Sequence, residues 1–209
     1  FSISASVPSS ETTTTQQYLP NTNILVTTVS LPNGDAFQIT DFCPRFLQYG
    51  RIYRPAALFR IVEPLSGSPS IRVCCQPVSG WEKTPVRSVR GSSHLRYDIR
   101  GDYLRLLTNM PLTYLCGETP VLLTSKMYFA LTWGLGIEDD LVKVSHEFLD
   151  QTTKYWRTWV KQCSIPVIYQ EEVIRSALAL KLHCYEDTGA ILAAPTTSLP
   201  EEPGGPRNW

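Results

Sequence analysis

The sequence predicts an antiparallel β-sandwich followed by helices, and three observations carry that prediction. Up to about residue 137, short runs alternate apolar and polar residues, the period-two signature of half-buried strands. Those runs are separated by clusters of Gly, Pro, Asn and Asp at hairpin spacing. From Leu141 onward the apolar spacing changes to three and four, the period of an amphipathic helix.

The first run, Phe1 to Val7, alternates as a strand. Pro8 to Gln17 is polar and threonine-rich and reads as a loop. Asn23 to Leu31 is β-branched and strand-like, Pro32-Asn33-Gly34-Asp35 supplies turn chemistry, and Ala36 to Phe42 alternates again. Asn33-Gly34 favours a primed hairpin turn between these two strands. Ala57–Val62 and Ser70–Val78 flank the turn-rich Pro64 to Pro69. His94–Ile99 and Tyr103–Thr108 flank Arg100-Gly101-Asp102, and Ser125 to Trp133 ends the series.

At Gly136 the period changes. Glu138-Asp139-Asp140 is expected in a first helical turn, where the dipole favours acids. Leu141, Val144, Phe148, Leu149, Thr152, Tyr155, Trp156, Trp159 and Val160 then mark one face of a long helix. Ser164-Ile165-Pro166 breaks it. A second helix is expected from Val167 to Tyr185, with Gly189 placed to stop it. Ala190 to Trp209 is an apolar run followed by a proline- and glycine-rich loop.

Composition narrows the function classes. Nineteen basic and nineteen acidic residues cancel, so nucleic acid and anionic membrane are poor partners. Charged residues are scarce at 18% and aromatics plentiful at 11%, which suits large buried surfaces or sugar stacking. No apolar run is long enough to cross a bilayer, and Phe1 to Ser4 has no signal-peptide character. The six cysteines show no CxxC spacing and read as free thiols in a reducing cytosol, giving a cytoplasmic expectation.

Few residues carry the chemistry of a site. Glu201 and Glu202 are adjacent in a loop, which does not let them flank a sugar from opposite sides. Glu171-Glu172 and Asp139-Asp140 read as helix-start acids. His183 beside Cys184 is two residues, not a metal site, and neither metal nor cofactor is expected. His94 and His146 read as surface residues. Trp156 and Trp159 share one helical face and read as core, while Trp81 lies in a loop suited to an interface.

The last stretch, Thr188-Gly189-Ala190-Ile191-Leu192-Ala193-Ala194-Pro195-Thr196-Thr197-Ser198-Leu199-Pro200-Glu201 and on through Gly204-Gly205-Pro206-Arg207-Asn208-Trp209, resembles the opening of the bacterial glucoamylase/trehalase-like enzymes of glycoside hydrolase family 15. Trp156-Arg157-Thr158-Trp159 and Arg175 to Lys181 are similar to that family's linker helix and first barrel helix. Ile39-Thr40-Asp41-Phe42-Cys43-Pro44-Arg45 and the Tyr53-Arg54-Pro55 region resemble its trehalase-like N-terminal domain.

The resemblance implies residues 1–137 as an incomplete trehalase-like β-sandwich, 138–165 as a linker helix and 166–209 as the start of an (α/α)6 barrel, with truncation at both ends. It implies hydrolysis of an α-linked gluco-oligosaccharide or of trehalose with inversion, by two glutamates outside this chain. Such a fragment is expected to be inactive. The resemblance puts Thr196, Thr197, Arg207 and Trp209 at the rim of the barrel mouth. There they either line the glucose pocket or belong to a proline-rich loop that only orders the opening. A rival reading is a stand-alone carbohydrate-binding or scaffold protein without activity.

Overall fold

A computed structural model describes residues 1–80, 82–134, 136–193, 202, 204 and 205. Two compact units divide the chain, residues 1–157 and 158–209.

The first unit is built on an eight-stranded antiparallel sheet. Its spatial order is Ser88–Arg90, His94–Ile99, Asp102–Thr108, Met127–Trp133, Ala57–Ser66, Ala36–Phe42, Leu25–Ser30 and Thr13–Tyr18. A three-stranded antiparallel sheet of Ser2–Ala5, Ser70–Cys74 and Val121–Leu122 packs on one face. Ile71 and Val73 of its middle strand meet Phe37, Ile39, Val62, Leu106 and Phe129 in a fully enclosed core. The short helix α1 (Leu112–Cys116) closes this side with Leu112 and Leu115.

The other face is covered too. Helix α2 (Leu141–Val160) lays Leu141, Val144, Phe148 and Leu149 against Phe42, Phe59, Ile61, Tyr128 and Ala130. With both faces buried, the central strands read as near-continuous apolar runs such as Phe129-Ala130. The architecture is therefore a sandwich of unequal sheets with a helix on the outer side of the larger one.

Several expectations need correction. Thr13–Tyr18, inside the stretch read largely as a loop, is an edge strand paired with Leu25–Ser30. All six of its residues are exposed, so no apolar alternation betrayed it; β-branched threonine fitted the pleat instead. The Asn33-Gly34 turn is not the two-residue primed form. Asn33 is not left-handed, as that turn demands; Pro32 takes the second position of an ordinary turn closed by Gly34 N to Leu31 O, and the loop takes three residues with Gly34 left-handed (φ 86°). The primed geometry occurs instead at Arg100-Gly101, where both φ angles are positive between paired Ile99 and Asp102.

Ser70–Val78 is two strands, Ser70–Cys74 and Val78–Ser79. The acids Glu138 to Asp140 precede α2 rather than forming its first turn. Asp140 caps it, its Oδ1 accepting from Lys143 N at 2.8 Å.

In the second unit, helix α3 spans Gln170–His183, shorter than expected at both ends. Glu171 and Glu172 do stand in its first turn. Cys184 ends it in extended conformation, so Gly189 does not stop the helix. Gly189 (φ 75°) instead turns the chain so that Tyr185 N donates to Ala190 O and Leu192 N to His183 O. No helix of the described residues is long and apolar enough to cross a membrane.

Candidate functional site

Thr196, Thr197, Arg207 and Trp209 lie outside the described residues, as do Glu201 and Trp81. The segments Ile39–Arg45 and Tyr53–Pro55 lie within them, and the fold brings the two together.

Asp41 and Arg60 are register partners on neighbouring strands of the large sheet. Burial outweighs the attraction of Arg60 and holds the Asp41 carboxyl above its ordinary range. The Cys43 thiol is also pushed up, by burial first and by the Asp41 charge second.

Arg45 is buried against α2. Its backbone N–H donates to Thr152 Oγ1 at 3.2 Å and its Nε to Tyr155 Oη at 3.3 Å. The guanidinium sits 5.5 Å from the centroid of the Trp156 ring and 5.8 Å from that of Tyr155. Trp156 is therefore a core residue, as its helical spacing predicted.

Between the two segments the chain makes a hairpin, Phe46–Gln48 with Arg51–Tyr53, paired with no other strand of the described residues. Tyr49 and Gly50 both adopt positive φ at its tip, the primed two-residue turn. An aromatic cluster roots its base: Phe46, Tyr53, Phe59 and Phe148 pack in tilted and edge-on pairs with centroid separations of 5.1–5.6 Å. Burial there raises the Tyr53 hydroxyl pKa. The tip projects Tyr49, 96% exposed, and Leu47.

A cavity of about 540 Å³ opens beside the hairpin, lined by Gln48, Tyr49, Arg51, Ile52 and Tyr53. Phenol, amide and guanidinium groups suit stacking on a sugar and bonding to its hydroxyls. Among the described residues no carboxylate lines it, and these supply no general acid or base for glycoside cleavage. Sequence reading missed this hairpin, whose three-residue strands are too short to show an apolar rhythm; Gly50 between Phe46-Leu47 and Ile52-Tyr53 was the usable signal.

A second cavity of about 500 Å³ is lined in part by Cys75, Cys116, Tyr97 and Glu118. Tyr97 donates to Cys75 O at 2.8 Å, Cys74 Sγ bonds Glu118 Oε1 at 3.3 Å, and Gln76 also donates to Glu118. Burial holds both Cys74 and Cys75 thiols above their ordinary range. One carboxylate among neutral thiols is not a glycosidase pair. All six cysteines are unpaired.

The remaining candidates take structural positions. His183 Nδ1 bonds Ala179 O at 2.8 Å, one helical turn back. His146 is an exposed residue whose Nε2 meets the buried Tyr128 hydroxyl at 2.8 Å. His94 is half-buried rather than superficial.

No protein-family profile matches the chain, and no solved structure matches it. Curated relatives do. The trehalase of Thermoplasma volcanium is 31% identical over 202 residues, covering 93% of this chain and 32% of that protein. The trehalase of Thermoplasma acidophilum is 32% identical over 200 residues, 93% of this chain and 34% of that protein. The trehalase of Mycobacterium tuberculosis is 32% identical over 167 residues, 73% and 24% respectively. The chain thus spans about a third of the length of the first two relatives. Over nearly its whole length, this chain is similar to one third of a trehalase.

Proposed function

We propose that the chain is a portion of a glycoside hydrolase that cleaves trehalose with inversion. The observation that carries this reading is identity of 31–32% to two trehalases over 93% of the chain. Trehalose is favoured over α-linked gluco-oligosaccharides because those relatives are trehalases.

Inverting hydrolysis needs one carboxylic acid to protonate the leaving oxygen and a second carboxylate to activate water on the opposite face. The two stand roughly 6.5–9.5 Å apart. Among the described residues neither cavity of the first unit offers such a pair. In this reading both acids belong to an (α/α)6 catalytic domain of the family 15 type that begins near residue 166. The β-layers of residues 1–137 brace that domain, and residues 138–165 link the two. Thr196, Thr197, Arg207 and Trp209 then contribute hydroxyls, a guanidinium and an indole face to the rim of the sugar pocket. The chemistry requires water and no cofactor. Six unpaired cysteines suit a reducing, cytoplasmic location.

The test is the full-length polypeptide assayed on trehalose, maltose and maltotriose. Trehalose cleavage well above the other two is expected. Preference for maltotriose would reassign it as glucoamylase-like, and cleavage of none would overturn the glycosidase reading.

A further inference from the structure

The outer strands of the large sheet set two arginines face to face. Arg96 and Arg105 are direct partners across the strands His94–Ile99 and Asp102–Thr108. Like charges in that relation repel. Both guanidiniums lie against one ring, at 5.0 Å and 5.3 Å from the centroid of Tyr103.

Arg96 has a counter-charge, Asp98, reached by its Nε at 2.9 Å and by a terminal nitrogen at 2.7 Å. Arg105 has none at its Nε, which is buried with no acceptor among the described residues. An unsatisfied buried donor is destabilising.

Two glycines close in on the cluster. A Cβ at Gly136 would stand 3.1 Å from Arg105 Nη1, and one at Gly91 would collide with the His94 imidazole. His94 occupies the same sheet face as Arg96, two residues along the strand. Burial first, then the charges of Arg105 and Arg96, hold its pKa below the ordinary histidine value. The surrounding segment is basic in an otherwise balanced chain: residues 82–105 hold six Lys and Arg against three Asp and Glu.

We infer that Arg105 and Arg96, backed by Tyr103 and flanked by His94, form a binding site for a small oxyanion of the phosphate or sulfate class. A planar carboxylate matches one guanidinium fork. A tetrahedral oxyanion offers oxygens to both arginines at once, relieving their repulsion and supplying Arg105 with an acceptor. The site requires a modest turn of the Arg105 side chain to bring Nε to the ligand.

The test is calorimetric titration of inorganic phosphate, and separately of sulfate, into the full-length polypeptide at constant ionic strength. Saturable binding at one site is expected. Arg105→Gln should weaken it about tenfold or more, the scale of one lost charge-assisted pair. Arg105→Lys keeps the charge but not the fork and should fall between. Arg87→Gln, on the same basic segment but outside the cluster, should bind as wild type. Each variant's cooperative melting is checked first, and Arg96→Gln carries the test if Arg105→Gln does not fold. Unchanged affinity in the folded Arg105 or Arg96 variants would overturn the inference. So would losses that follow net charge alone, Arg87→Gln included. Binding is the readout, so the result is independent of whether trehalose is cleaved.

Discussion

Arg60 grips Asp41 across directly paired strands, Nε to Oδ1 at 2.8 Å and a second nitrogen to Oδ2 at 3.4 Å, and at the same time faces the Phe1 ring at 4.6 Å. A further Arg60 nitrogen donates to Phe1 O at 2.8 Å. One guanidinium thus ties the large sheet to the first residue of the chain, on the face covered by the three-stranded sheet.

Asp41→Ala should therefore cost about 2–3 kcal/mol, because it leaves a mostly buried arginine without its charged acceptor. Urea unfolding measures it. The double replacement Asp41→Leu with Arg60→Met should recover much of the loss, since it removes both charges from a poorly solvated place. A double variant as unstable as the single would contradict this account.

Phe148 is the side chain by which α2 joins the hairpin base to the sheet, through Phe46, Tyr53 and Phe59. Phe148→Ala should cost about 3 kcal/mol, lowering the urea midpoint with little change in slope. Tyr49→Ala, at the exposed hairpin tip, should leave the midpoint within about 0.5 kcal/mol of wild type.

His94 gives a pH dependence of definite sign. Its folded-state pKa lies below 6.5, so between the two values the unfolded chain binds more protons than the folded one. Its contribution to stability is complete above about 6.5 and is lost as pH falls toward the folded value. Melting temperatures from pH 7.5 to 5.5 should fall more steeply in wild type than in His94→Gln. Parallel curves would remove His94 from the explanation.

The second unit exposes Val167, Ile168, Tyr169, Leu180, Leu182, Ile191 and Leu192. Leaving such side chains wet forgoes about 1.5–3 kcal/mol each. Residues 1–209 alone should therefore bind hydrophobic dye and self-associate in sedimentation experiments, whereas the full-length polypeptide should do neither. A monodisperse, dye-silent preparation of 1–209 would count against a covering domain.

Local chemistry made much of this fold legible. The alternation at Ala36–Phe42 and the Arg100-Gly101 turn were readable because half-burial and positive φ leave direct marks on residue choice. Thr13–Tyr18 was not, because an edge strand exposed on both faces has no apolar rhythm. Pro32 overrode the Asn-Gly signal because its fixed φ suits the second position of an ordinary turn, which leaves Asn33 outside the left-handed region. The Arg96–Arg105 confrontation depends on strand register, which no spacing along the chain announces. The sequence motif at Thr196, Thr197, Arg207 and Trp209 lies beyond the described residues, so its place rests on resemblance.

The most direct test of the central claim is the anomeric form of the glucose released at the start of trehalose hydrolysis by the full-length polypeptide, followed by proton NMR before mutarotation. Inversion at one of two α-linked sugars predicts equal initial amounts of β- and α-glucose. Release of α-glucose alone would indicate retention and contradict the account, as would trehalose cleavage by residues 1–209 alone.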